Sequence, residues 1–283
     1  MDRKLPLEFA EKLVELVAAD RAGRGVSRLS KPEDWQRAAD ALCALKSVAV
    51  VSGFYIPCAK APETDGPGGA VILARAFMRM GRASVLWTDE LCLGAMKECA
   101  RAASFPEEQV LVYHEGLPLP EGIIFTERLG RAADGAYYNF KKVNISEWTP
   151  PLDELAFEAV RKGIVTAGIG DGGNEVGMGN FYDELSALIP QYKECLCTVR
   201  TDYALAADVS NWGAYALAAA LSQLFGKWCG AEAHEEKAML EALKAAGAVD
   251  GISRKPQLTV DGFDLSVQSV IISSLKDLWL RCN

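Results

Sequence analysis

The stretch GIVTAGIGDGGNEVGMGN, residues 163–180, decides how the rest of the chain reads. Its first half is short, apolar and partly β-branched, the texture of a strand buried on both faces of a parallel sheet. Its second half sets five glycines, from Gly168 to Gly177, around Asp171, Asn174 and Glu175. Glycine loses more backbone freedom on folding than any other residue, so an ordered run of this kind needs a reason. In an open α/β sheet, ligands bind just beyond the carboxyl ends of the strands, which is where this loop would lie.

Working outward, residues 47–54 (SVAVVSGF), 83–89 (ASVLWTD), 110–113 and 122–126 read as further strands, and 195–199 and 203–207 as two more. Helical patterns fill the intervals at 69–80, 90–103, 152–162, 212–225, 235–246 and 265–280, with Gly247 as a C-terminal stop. Two amphipathic helices precede the first strand, at 6–20 and 31–45, the second with Ser30 as its N-cap and Pro32 in its first turn. Strands alternating with helices predict an α/β fold: an open, mostly parallel, Rossmann-like sheet with helices on both faces. One α/β domain is expected over 1–283, its helical segment 1–45 packing on the sheet or covering its mouth.

Half of the 283 residues are hydrophobic and the formal charge is −8, from 30 basic and 38 acidic residues. No basic cluster breaks that balance, so the electrostatic footprint of nucleic-acid binding is missing, and an anionic membrane is an equally poor partner. No apolar run approaches spanning length. The acidic, amphipathic N-terminus fits neither a signal peptide nor a transit peptide, which makes the expected location cytoplasmic. Eight cysteines without a CxxC pair read as reduced thiols. Cys195 and Cys197 would share a strand face, yet no histidine stands near them to complete a metal site. His114 and His234 are the only histidines, so a His-based zinc centre or a Ser-His-Asp triad is poorly supplied. His234 reads as a solvated helix end, and His114 stays a candidate because it lies near the strand ends.

Three loops leaving strand ends carry the same ingredients: Glu63–Gly69, Glu127–Gly135 and the opening stretch. Gly168, Gly170 and Gly173 satisfy G-x-G-x-x-G after a strand, the context of a dinucleotide fingerprint. Asp171 and Glu175 would put carboxylates where a pyrophosphate needs bare amides, so no nicotinamide is expected. Oxygen-rich side chains in such a loop suit a divalent cation or an ammonium group, although Asp171 and Asn174 can equally shape turns. The first loop runs into a helix near Gly68, whose free amides offer an anion pocket, with Glu63 and Asp65 beside it as acids, bases or caps. Arg128 and Arg131 can take carboxylates in paired bonds, or pair with Glu127 and Asp134 instead. Trp212 is either a pocket wall or a core residue. Together these parts describe a site for a small zwitterion such as an amino acid.

The blocks SGF with ETDGPGGA, TERLGRAADGAYYN, GIGDGGNEVGMG, VSNWGAYAL and AGAVDG resemble the C-terminal domain of D-glutamate cyclase over roughly residues 46–265. The resemblance implies a lyase that converts D-glutamate to 5-oxo-D-proline with loss of water, with manganese as cofactor; magnesium, also oxygen-liganded, stays open. Holding glutamate curled would supply much of the acceleration, since well-oriented intramolecular reactions gain roughly 7–11 kcal/mol. Loop position and residue type assign the expected roles. Asp171 and Glu175, helped by Asn174, bind the ion. Asp65 takes the proton of the α-ammonium, and Glu63 orients it. Arg128 and Arg131 hold a substrate carboxylate, with Asp134 fixing the arginines. Thr64, Gly66, Gly68, Asn139 and Asn211 complete the expected substrate-binding set. Beyond the amino-acid substrate, self-association into a homo-oligomer stays open as a partner. So do a non-catalytic binder of a small acid or nucleotide and another hydrolase or lyase acting on an amino-acid-like substrate.

Overall fold

A computed structural model describes residues 4–282. Two helices come first, α1 (Leu7–Val17) and α2 (Pro32–Cys43), followed by strand β1 (Ser47–Val51). A small antiparallel hairpin, β2 (Tyr55–Ile56) and β3 (Ala61–Pro62), interrupts the run into α3 (Pro67–Arg79). Then come β4 (Ala83–Thr88), α4 (Leu93–Ala102), β5 (Val110–Val112), β6 (Gly122–Thr126), α5 (Glu154–Lys162) and β7 (Val165–Gly170). The chain closes with α6 (Tyr182–Leu188), β8 (Tyr203–Ala206), α7 (Ser210–Phe225), α8 (Ala233–Ala245), the hairpin β9 (Thr259–Val260) and β10 (Phe263–Asp264), and α9 (Leu265–Arg281).

Six strands form one sheet in the order β5-β4-β1-β6-β7-β8, every pair parallel. The chain winds outward from β1 through β4 to β5, then returns and winds the other way through β6, β7 and β8. The order therefore reverses between β1 and β6, and a crevice opens there because the loops leaving these strands diverge. Strand alternation builds the two faces. On β1, Val48 and Val50 point into the larger core with α1, α2, α3, α7, α8 and α9, while Ala49 and Val51 point into a smaller one capped by α5. Helices thus cover both faces, as the alternating pattern predicts.

Two local readings are corrected. Residues 195–199 form no strand: Pro190–Cys195 is a short 3-10 helix, and the chain beyond it runs extended across the glycine loop, with the Cys197 amide donating to the Gly173 carbonyl at 2.9 Å. Ser30 does not cap α2. The N-cap position is Lys31, and the Ser30 hydroxyl accepts the indole N–H of Trp35 instead, at 2.8 Å. Trp212 is a core residue, fully buried, with its indole donating to Gln268. No helix among the described residues is long and apolar enough to cross a membrane.

Candidate functional site

A pocket of about 190 Å³ opens at the carboxyl edge of the sheet. Loops from both halves of the sheet reach it: Glu63 after β1, Glu127 after β6, Asp171 after β7, and Asp261 from the β9–β10 turn. The decisive feature lies beneath it, at the first turn of α7. The Ser210 amide donates to Asp65 Oδ2 at 3.0 Å and to Asp171 Oδ2 at 3.1 Å. The Ser210 hydroxyl donates to Glu127 Oε2 at 2.7 Å. Three carboxylates from three strand ends therefore converge on one helix N-terminus, where free amides and the helix dipole favour negative charge. Ligand oxygens of Asp65, Glu127 and Asp171 lie within 4.8 Å of one another, and all three residues are buried. Such an all-oxygen set can hold a divalent cation.

The charges around this triad are badly balanced. Glu63 and Asp261 add two more acids, and the cation paired with this group is Arg24, from the glycine-rich turn between α1 and α2. One arm of its guanidinium binds Asp171 Oδ1 and the other donates to Asp261 Oδ2 at 2.5 Å. Burial, compounded by the neighbouring acids, pushes carboxyl pKa values up: Asp65 to about 7, and Glu63, Glu127 and Asp171 well above their ordinary range. Arg24 opposes this at Asp171 and Glu63, and the amides of Asn211 and Ser210 oppose it at Asp65. Acids that hold protons for want of positive charge are the chemistry of a site that takes a cation. Glu127 also has φ of +45°, a left-handed conformation that a non-glycine residue adopts only when its surroundings impose it.

The glycine loop answers the question its composition raises. Its amides close on the loop's own Glu175: Oε1 accepts from Asp171 N at 3.0 Å and Gly172 N at 2.7 Å, and Oε2 from Gly173 N at 2.8 Å. A Cβ on Gly168 would meet the Val176 carbonyl at 2.3 Å, so only glycine lets the chain fold back this tightly. Glu175 is thus the organiser of the turn that aims Asp171. Asn174 lines the pocket and donates to the Tyr138 carbonyl at 2.8 Å, tying down the neighbouring loop. Asn174 and Glu175 line the same pocket as Asp171, while the buried acidic cluster joins Asp171 to Asp65 and Glu127.

Several other expected site residues lie elsewhere. Arg128 is buried away from the pocket, paired with Asp89 and donating to the carbonyls of Gly53 and Pro150. Arg131 pairs with Asp153 and Glu154, not with Asp134. Asp134 accepts from the Tyr138 hydroxyl and the Ala136 amide instead. The amides at the start of α3 are no open anion pocket, because Asn211 Oδ1 already accepts from Gly66 at 3.0 Å and Gly69 at 2.7 Å. Gly68 packs beside them so closely that a Cβ would meet the Tyr215 hydroxyl at 2.7 Å. Thr64 is buried and donates to the Thr259 carbonyl. Asn139 does line the pocket, and its side chain builds the turn there, accepting from Lys141 and Val143 amides. His114 and His234 are exposed and line no part of it.

Residues that sequence reasoning did not place at the site are Arg24, Asp261 and Ser210, together with Glu127 as a member of the triad. Spacing carries no signal for the first two, which lie 147 and 90 positions from Asp171. A weak one exists in the turn residues around them: Gly23 and Gly25 on either side of Arg24, and Asp261-Gly262, all with positive φ.

The family model described as D-glutamate cyclase-like, C-terminal, matches residues 13–276. The mitochondrial D-glutamate cyclase of Homo sapiens is 32% identical over 242 residues, which is 76% of this chain and 39% of that protein. The chain therefore spans about two fifths of the length of that relative.

Proposed function

We propose that this chain, which belongs to the D-glutamate cyclase-like family, is a lyase that closes D-glutamate to 5-oxo-D-proline and water with a divalent metal, manganese by preference. The observation that carries the reading is the convergence of Asp65, Glu127 and Asp171 on Ser210 beneath an acid-lined pocket. These three carboxylates would hold the ion, with Ser210 fixing their orientation. When bound, the ion supplies Lewis acidity and neutralises charge at the γ-carboxylate, which is otherwise a poor electrophile.

The chain's own groups do the rest. Asp65 accepts amide hydrogens on both carboxylate oxygens, from Gly66 and Asn211 on one and Ser210 on the other, so it is held rigidly. Glu63 lines the pocket, and among the described residues its carboxylate receives no hydrogen bond. Its pKa is raised well above the ordinary carboxyl range by burial and then by Asp261 and Asp65, with Arg24 opposing, the direction that suits a carboxylate for taking a proton from an ammonium group. Glu63, rather than the fully engaged Asp65, is therefore the proton-transfer group. It removes a proton from the α-ammonium, and the freed amine attacks the γ-carboxyl carbon of the same molecule. Glu63 then carries the nitrogen's protons to the departing oxygen. Two protons leave nitrogen, one oxygen leaves carbon, and the product is the lactam plus water.

Turnover of purified protein with D- and L-glutamate, each with manganese, magnesium or chelator, tests this through chiral mass spectrometry of 5-oxoproline. Metal-dependent product from the D isomer is the expected result. No product from either isomer under any metal would remove the reaction.

A further inference from the structure

The pocket has two electrically opposite ends, and only one is used above. Its floor is acidic. Its rim carries two exposed cations, Lys141 and Arg254. Among the described residues neither side chain makes a hydrogen bond or ion pair. Neighbouring charges are engaged: Lys142 sits 5.5 Å from the Tyr192 ring centroid, and Arg24 is paired twice. Both rim cations ride on turns held firmly in place. Asn139 Oδ1 accepts from the amides of Lys141 and Val143 at 2.9 and 3.1 Å. Asp250 accepts from Ile252, Ser253 and Gly262 amides, while the Arg254 amide donates to the Asp250 carbonyl at 2.7 Å. Arg254 itself has φ of +57°, a conformation its surroundings must impose.

We infer that Lys141 and Arg254 form a carboxylate clamp at the pocket mouth that binds the α-carboxylate of an α-amino acid substrate. This rests on the reading of the pocket as an amino-acid site. A substrate of net negative charge entering a chain of charge −8 through an acidic pocket needs positive charge along the way. In glutamate closure the amine and the γ-carboxyl react, and both must reach the floor. The α-carboxylate does not react and is left facing outward, where the two cations stand. The clamp therefore selects substrates that carry a carboxylate on the carbon bearing the amine, and it orients the curled chain.

The test is read by binding, so it is separable from turnover. Calorimetric titration of the manganese-loaded protein would use D-norvaline, which keeps the α-ammonium and α-carboxylate but has no γ-carboxyl to close. 4-Aminobutyrate, which keeps the amine and the distal carboxyl but lacks the α-carboxylate, serves as the contrast. In the double variant Lys141→Gln with Arg254→Gln, D-norvaline is expected to bind about ten-fold more weakly or worse, with 4-aminobutyrate unchanged. The charge-keeping pair Lys141→Arg with Arg254→Lys should restore most of the loss, and thermal midpoints of both variants should match the parent. Equal weakening of both ligands, no weakening of D-norvaline, or no binding of D-norvaline to the parent protein would each overturn the clamp. Absence of 5-oxoproline formation alongside normal D-norvaline binding would instead remove the cyclisation and leave the clamp standing.

Discussion

The loops leaving β6 and β7 lie side by side, bridged between Leu129 and Glu175, and both are rich in charge and glycine. They end up doing opposite things. The loop after β7 turns its carboxylates inward: Glu175 gathers three of its own amides, and Asp171 is aimed at the pocket floor. The loop after β6 contributes Glu127 to the floor, but its arginines turn away and bind scaffold. Arg128, with side-chain exposure of 1%, takes Asp89 and two distant carbonyls. The difference lies in reach. A short carboxylate must find donors locally, and a glycine loop offers them. A long guanidinium with five donors can reach carbonyls many residues off, so its address in the sequence says little about its address in space.

That contrast sets an order of effects. Asp171→Asn should lower turnover by about a thousand-fold or more while leaving the thermal midpoint within a few degrees, because it removes charge from the floor without emptying it. Near-normal turnover would take Asp171 out of the mechanism. Arg128→Met should act the other way. It leaves the Asp89 carboxylate buried without its partner and should cost about 3–5 kcal/mol in urea unfolding, with KM for D-glutamate unchanged in the folded fraction. A raised KM at unchanged stability would put Arg128 back in the substrate site.

A buried acid outside both loops supplies the control. Glu236 is buried on α8, accepts the Tyr215 hydroxyl, and has one carboxylate oxygen with no partner among the described residues. Burial raises its pKa from 4.5 to about 7, with the Tyr215 bond opposing. Between those values the folded protein holds a proton that the unfolded chain has released. The stability it gives is full below about pH 4.5 and is lost as pH rises through about 7. Glu236→Gln should remove up to about 3 kcal/mol of the stability difference between pH 5 and pH 8, seen as a flatter profile of thermal midpoint. An unchanged slope would mean that Glu236 is not a titrating buried acid. The smallest effect is expected at Glu175→Gln, which replaces one acceptor among three amides by a donor. About 2 kcal/mol of stability should go, with metal affinity falling less than for Glu127→Gln.

The sheet was legible because parallel strands buried on both faces must be apolar runs, and β1, β4, β6 and β7 all are. Residues 195–199 look the same by composition, but they close over the glycine loop, a role set by tertiary packing. Within the site, Asp171, Asp65 and Glu63 could be named because they follow strand ends. Arg24 and Asp261 could not, since they reach the pocket from the inter-helix turn and the late hairpin, and only the folded chain brings those together with Asp171. Gly68 and Asn211 open two different helices, α3 and α7, and only the folded chain shows that the Asn211 side chain closes the amides beside Gly68.

The central claim is that Asp65, Glu127 and Asp171 hold the metal. It is tested most directly by titrating manganese(II) into the parent protein and into Glu127→Gln, reading free ion by electron paramagnetic resonance. One site in the parent, lost or weakened at least about ten-fold in Glu127→Gln, is the result the account predicts. Undiminished binding in Glu127→Gln, with loss instead in Asn174→Ala, would contradict it and return the ion to the glycine loop.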